Sequence, residues 1–121
     1  MTKVLIADDE PNILLSLDYL LRKNGYQVFI ARDGAEALAV VSAEQPKIVL
    51  LDVMMPALDG YEVCRQIRAR EDGQQYKIIF LSAKSREQDI AEGYRLGADF
   101  YFSKPFSTRQ LLAKIQELSK D

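Results

Sequence analysis

Three aspartates, a serine and a lysine stand where short apolar runs stop. Val4-Leu5-Ile6-Ala7 leads into Asp8 and Asp9, Ile48-Val49-Leu50-Leu51 into Asp52, Ile78-Ile79-Phe80-Leu81 into Ser82, and Phe100-Tyr101-Phe102 into Ser103 and Lys104. A single aspartate after a strand is most simply a cap for the helix that follows. Three that converge are another matter, because two unit charges about 4 Å apart repel by roughly 4 kcal/mol at an effective dielectric of 20. Crowded carboxylates therefore require a cation, and Lys104 supplies one positive charge. With no histidine in the chain, the oxygens also suit a hard divalent ion. Magnesium is commonly held by one or two carboxylates together with phosphate oxygens. A metal and an ammonium group stabilise an anion, a phosphoryl group is the natural one, and an aspartate beside the metal has the chemistry of its acceptor.

Convergence needs the runs to be parallel strands whose carboxyl ends share one sheet edge. In open parallel sheets that edge is the default binding crevice. The segments between the runs have helical period: Ile13, Leu17, Leu20 and Leu21 near the start, and Leu111, Leu112, Ile115 and Leu118 near the end. Pro11 suits a first helical turn and Gly25 a left-handed cap, which brackets a helix from about 11 to 24. Four further starts pair a short polar residue with Glu or Gln three positions on: Asp33 with Glu36, Asp59 with Glu62, Ser85 with Gln88, and Ser107 with Gln110. Pro46 and Gly97 close the second and fourth helices. The pattern predicts strands near 3–7, 26–30, 47–51, 77–81 and 99–102, alternating with five helices. Such alternation implies an α/β fold, a parallel sheet covered by helices on both faces. The second strand ends in Ala31, brings no chemistry, and is expected at an edge. The polar stretch from Arg68 to Lys77 reads as a loop.

A chain of 121 residues, 48% hydrophobic and 28% charged, is the size and composition of one globular domain, expected over 1–121. Its net charge of -2, from 16 basic and 18 acidic residues, provides no global field for nucleic acid. No apolar stretch approaches the roughly 20 residues of a membrane span, and Met1-Thr2-Lys3-Val4 enters a strand without a signal peptide. A cytoplasmic location is expected. The single Cys64 agrees with a reducing compartment, and with no histidine to activate it, it reads as core packing.

Taken together, four segments resemble the receiver domain of bacterial two-component response regulators, of the chemotaxis-regulator kind. They are Ile6-Ala7-Asp8-Asp9-Glu10, Leu51-Asp52-Val53-Met54-Met55-Pro56 with Asp59-Gly60, Leu81-Ser82-Ala83, and Gly97-Ala98-Asp99 through Lys104-Pro105-Phe106. The resemblance spans essentially the whole chain. It implies a flavodoxin-like doubly wound fold with strand order 2-1-3-4-5. It also implies that Asp52 is the phosphoacceptor and that Asp8, Asp9, Asp52 and the Met54 backbone carbonyl hold Mg2+, with Lys104 and Ser82 completing the catalytic set. Ser82 and Tyr101 resemble the switch pair of the family, although strand alternation alone reads Tyr101 equally well as core. The Lys104-Pro105 bond is expected to be cis by the same resemblance. The implied phosphodonor is a histidine kinase or a phosphotransfer protein. An output domain or effector is the implied recipient, and partners or a homodimer would form on the face of the fourth helix, fifth strand and fifth helix. Such a domain is not an enzyme in its own right; it assists only its own aspartyl phosphorylation and dephosphorylation.

Two positions depart from the family. Phe100 stands where many transcription-factor receivers carry a second acidic residue, which puts their charged dimer contact in doubt. Met54 and Lys84, two residues after Asp52 and Ser82, occupy positions that by resemblance govern water access to the phosphoaspartate. An apolar Met54 cannot orient water, so slow self-dephosphorylation is expected. Three other readings remain. A phosphatase or phosphotransferase using Asp52 as a transient nucleophile would want a second aspartate where Met54 stands. A nucleotide or flavin binder would want a glycine-rich loop after the first strand. A pseudo-receiver that only binds partners would not need the intact set of Asp8, Asp9, Asp52, Ser82 and Lys104.

Overall fold

The computed structural model describes residues 1–120, so Asp121, the last residue of the expected domain, lies outside the described residues. Five strands, β1 (Lys3–Ala7), β2 (Gln27–Ala31), β3 (Ile48–Leu51), β4 (Lys77–Ser82) and β5 (Phe100–Ser103), alternate with five helices. These are α1 (Pro11–Lys23), α2 (Gly34–Glu44), α3 (Gly60–Arg68), α4 (Glu87–Arg95) and α5 (Thr108–Ser119). The strands are all parallel, in the order β2-β1-β3-β4-β5, and β2 lies at an edge as expected. No helix among the described residues is long and apolar enough to cross a membrane.

The period of two along each strand divides the core between the two faces. Leu5 and Ala7 of β1, with Val49, Leu51, Ile78 and Phe80, pack against Val41 of α2 and Val63 and Ile67 of α3, with Ile90 of α4 alongside. Val4 and Ile6, with Ile48, Leu50, Ile79 and Leu81, pack against Leu14, Leu17 and Leu21 of α1 and Leu111 and Ile115 of α5. Central strands are therefore buried on both sides and read as continuous apolar runs. Cys64 is buried, and burial pushes its thiol up to about 11, which suits packing rather than reactivity.

Local chemistry sets most boundaries. Pro11 occupies the first turn of α1, and Gly25 follows it at φ 88°. Asp33, Asp59 and Ser107 each accept a backbone N–H three residues on, at 2.8, 2.9 and 3.2 Å. Ser85 does not cap α4. That helix begins one residue later, after Arg86, because the Asp89 carboxylate reaches back to the Arg86 N–H at 3.3 Å and pairs with its guanidinium. A charged acceptor at the third helical position outcompetes the neutral Gln88.

The stretch expected as a loop after α3 is more ordered than its polarity suggests. A 3-10 turn forms at Gly73–Gln75, and Tyr76 is buried. Arg68 organises it: the guanidinium donates to the carbonyls of Gly73 at 2.6 Å, Tyr76 at 2.7 Å and Gly97 at 2.9 Å, and pairs with Asp99 at 2.9 Å. Asp99 in turn accepts the Ile78 N–H at 2.8 Å. One arginine thus ties α3 to the entrances of β4 and β5.

Candidate functional site

The hydrogen-bond ladder runs past the apolar ends of the strands and carries the polar residues with it. Asp8 N–H donates to Ala31 O at 3.1 Å, Asp52 N–H to Ala7 O at 2.9 Å, and Lys104 N–H to Ser82 O at 2.7 Å. The strand order reverses between β1 and β3, because the chain leaves β1 to one side for β2 and returns on the other for β3. A crevice opens at such a reversal, and Asp8 and Asp52 flank it. The loop after β3 closes tightly: Gly60 N–H donates to Val53 O at 2.8 Å, and a Cβ at Gly60 would overlap the Asp52 carbonyl. Only glycine lets α3 start this close to Asp52.

Four charged groups meet in the crevice. Lys104 Nζ lies 3.0 Å from Asp8 Oδ2, 3.0 Å from Glu10 Oε1 and 3.7 Å from Asp52 Oδ2. Carboxylate oxygens of Asp8, Glu10 and Asp52 all fall within 4.8 Å of one another. Asp8 is 1% exposed and Asp52 4% exposed. Burial, then the Asp8 charge, pushes the Asp52 carboxyl up to about 6, against the pull of Lys104 and the Met54 N–H. Burial alone would lower the Lys104 ammonium, but Glu10, Asp8 and Asp52 outweigh it and hold it above the usual lysine value. The group is therefore an ammonium held by carboxylates, one of which carries its charge at a cost.

Around this centre a cleft of about 270 Å³ is lined by Asp9, Glu10, Asp52, Met54, Ala83 and Lys104. Asp9 faces the cleft and adds to the field on Asp52, but it is exposed and outside the tight oxygen cluster. Glu10 takes that place and was not singled out from the sequence. An Asx turn, in which Asp8 Oδ1 accepts the Glu10 N–H at 2.9 Å, sets the Glu10 backbone, while its carboxylate joins the cluster by meeting Lys104. Met54 donates its N–H to Asp52 Oδ1 at 3.3 Å while its side chain, 54% exposed, forms the lip.

Ser82 is fully buried at the end of β4, and its Oγ accepts the Lys84 N–H at 3.1 Å. The Lys84 carbonyl accepts the Tyr101 hydroxyl at 2.7 Å. Tyr101 is buried with its ring against Phe80, so it is core, and its hydroxyl also grips the loop that follows Ser82. The Lys104-Pro105 bond is cis, as expected. The donor set, carboxylate oxygens without nitrogen or sulfur, fits a hard divalent ion.

A family model described as response regulator receiver domain matches residues 4–116. Solved structures agree. The chain is similar to the Vibrio cholerae chemotaxis protein CheY4, at 31% identity over 98% of each chain and a TM-score of 0.90. It is similar to the receiver domain of the Francisella response regulator 1452, at 32% identity over 99% of this chain and 98% of that one, with a TM-score of 0.91. It is also similar to the BeF3-activated N-terminal receiver domain of Klebsiella pneumoniae RstA, at 27% identity over 99% of this chain and 100% of that one, with a TM-score of 0.92.

Proposed function

The chain belongs to the response regulator receiver domain family, and from that premise we propose that Asp52 accepts a phosphoryl group and that this switches a partner-binding face. The donor is the phosphohistidine of a histidine kinase or phosphotransfer protein. One observation carries the reading: a buried carboxylate at the strand-order reversal, raised to about 6 yet ionised at neutral pH, within 3.7 Å of an ammonium. A carboxylate so placed has lost most of its hydration and opens on the cleft. In the transfer, an Asp52 oxygen attacks phosphorus, the P–N bond to the donor imidazole breaks, and the imidazole nitrogen leaves with the electron pair.

Asp8, Asp9, Asp52 and the Met54 carbonyl would hold Mg2+, with Glu10 closing the outer side of the same cluster. When bound, the metal neutralises charge on the transferring oxygens. Lys104 supplies a positive charge to the same oxygens, and the Ser82 hydroxyl would donate to one of them. These contributions are positioning and electrostatics. They assist phosphorylation and its reversal on this chain alone, without turnover of other phosphate esters.

The arriving group adds nearly two negative charges. Moving a two-state population from 1:99 to 99:1 takes about 5.5 kcal/mol, within reach of a few charge-assisted hydrogen bonds. The route runs from Ser82 to the Lys84 backbone and the Tyr101 hydroxyl, and so to the face of α4, β5 and α5, where an effector, an output domain or a second copy docks. On that face Phe100 lies tilted against Phe102 at 4.8 Å and under Lys114 at 4.4 Å, which favours an apolar and cation–π contact over a charged one. The receiver domain takes in at least the matched residues 4–116, and its unpaired Cys64 suits the cytoplasm.

The test is incubation with acetyl phosphate and magnesium, followed by phosphate-affinity electrophoresis. A retarded band that is absent in Asp52→Asn supports the proposal. No retarded band with acetyl phosphate or with a phosphorylated kinase would leave a phosphorylation-independent binding module as the better account.

A further inference from the structure

Beneath α4, aromatic rings from three elements meet. Phe80 of β4 is central, with Tyr61 of α3 edge-on at 5.5 Å and Tyr101 of β5 tilted at 5.7 Å. Both tyrosines spend their hydroxyls on the segment that leads from Ser82 into α4. Tyr61 donates to the Asp89 carbonyl, in the first turn of the helix, at 2.8 Å, and Tyr101 donates to the Lys84 carbonyl at 2.7 Å. Where α4 crosses the Tyr101 ring it carries Gly93. A Cβ there would stand 2.9 Å from Tyr101 Cδ2 and 3.2 Å from Phe80 Cδ2. Both atoms belong to buried rings, so a methyl group must displace a ring or lift the helix.

We infer that Tyr61 and Gly93 are positioning residues that set the resting orientation of Tyr101: Tyr61 holds α4 down on the aromatic cluster, and Gly93 leaves the room in which the ring lies. The two hydroxyl grips fall on one short piece of chain, so what loosens one is felt by the other. This rests on the phosphorylation reading above, in which a pull on Ser82 is passed through Lys84 to the inward Tyr101 ring. A protein whose ring is displaced beforehand must spend part of its binding energy restoring it, and its apparent affinity for a phosphoryl mimic falls by the fraction lost.

The experiment labels the six tyrosines with 3-fluorotyrosine, assigns Tyr101 by its loss in Tyr101→Phe, and records 19F spectra with and without magnesium and beryllofluoride. Gly93→Ala is expected to move the Tyr101 resonance in the free protein and to weaken beryllofluoride binding by about fivefold or more, the low end of ordinary allosteric coupling. Tyr61→Phe keeps the ring and loses only the hydroxyl, and is expected to move both readouts the same way by less. If Gly93→Ala does not fold, Tyr61→Phe decides alone. A wild type that binds beryllofluoride, with variants whose Tyr101 resonance and affinity match it, overturns this inference alone. A wild type that does not bind overturns the phosphorylation reading and this inference with it.

Discussion

Replacing Asp52 by asparagine is expected to stabilise the fold at neutral pH and to do little once pH falls below the unfolded value of 3.8. The carboxyl rises from 3.8 to about 6 on folding, chiefly through burial and the neighbouring Asp8. A raised carboxyl binds its proton more tightly in the folded than in the unfolded state, so between these values the unfolded chain ionises first and stability falls as pH rises. The penalty is absent below the unfolded value and complete above the folded one. Each unit is worth about 1.4 kcal/mol, which bounds the effect near 3 kcal/mol. Because the carboxylate opens on the cleft, where solvent screens it, about 1 to 2 kcal/mol is expected. Asparagine keeps an oxygen for the Met54 N–H and removes the repulsion from Asp8. Urea unfolding of both proteins in a chelator, at several pH values from about 4 to 8, reads the difference directly. A gap that opens as pH rises above 3.8 and levels off past about 6 fits a carboxylate strained by burial and by Asp8. An asparagine variant that is less stable at neutral pH, or a gap independent of pH, would refute that strain.

Other outcomes follow from the same geometry. Magnesium is expected to raise the melting temperature of the wild type, since a ligand at about 100 times its dissociation constant adds about 2.7 kcal/mol, and Asp8→Asn should lose most of that rise in the same thermal scan. Arg68→Ala strands Asp99 and three carbonyls at the opposite end of the sheet, and a loss of about 3 kcal/mol in urea unfolding is expected, with the phosphorylation site intact. Gly60→Ala forces a methyl group onto the Asp52 carbonyl and should lower both stability and phosphorylation, measured by urea unfolding and acetyl phosphate labelling. Met54→Asn puts a water-orienting amide on the lip of the cleft and should shorten the phosphoryl lifetime, followed as decay of the labelled protein after the donor is removed.

What could be read in the sequence was whatever rests on periodicity and local chemistry. Apolar runs of four residues ending in Asp52 or Ser82 announced strands buried on both faces, and Pro11, Gly25, Asp33, Asp59 and Ser107 marked helix ends through their own hydrogen bonds or backbone geometry. Strand ends were displaced by a residue at β2, β4 and β5, because the ladder continues into Ala31, Ser82 and Ser103 regardless of side-chain polarity. Ser85 misled, since the competing Asp89 lies one residue beyond the position a capping box uses. Glu10 in the oxygen cluster and Arg68 as a hub depend on side chains meeting partners 94 and 29 residues away, at Lys104 and Gly97. No local pattern encodes such meetings. Gly93 was invisible for the same reason, because its role is defined by the rings above which it happens to pass.

Phosphorylation of Asp52 is tested most directly by locating the phosphoryl bond itself. Protein treated with acetyl phosphate and magnesium is reduced with borohydride, which converts an acyl phosphate to an alcohol, and the modified residue is found by peptide mass spectrometry. Reduction is expected at Asp52 alone, dependent on magnesium and weakened in Lys104→Ala. Modification at Asp8, Asp9 or Glu10 in its place, or none at Asp52, would contradict the assignment of Asp52 as acceptor.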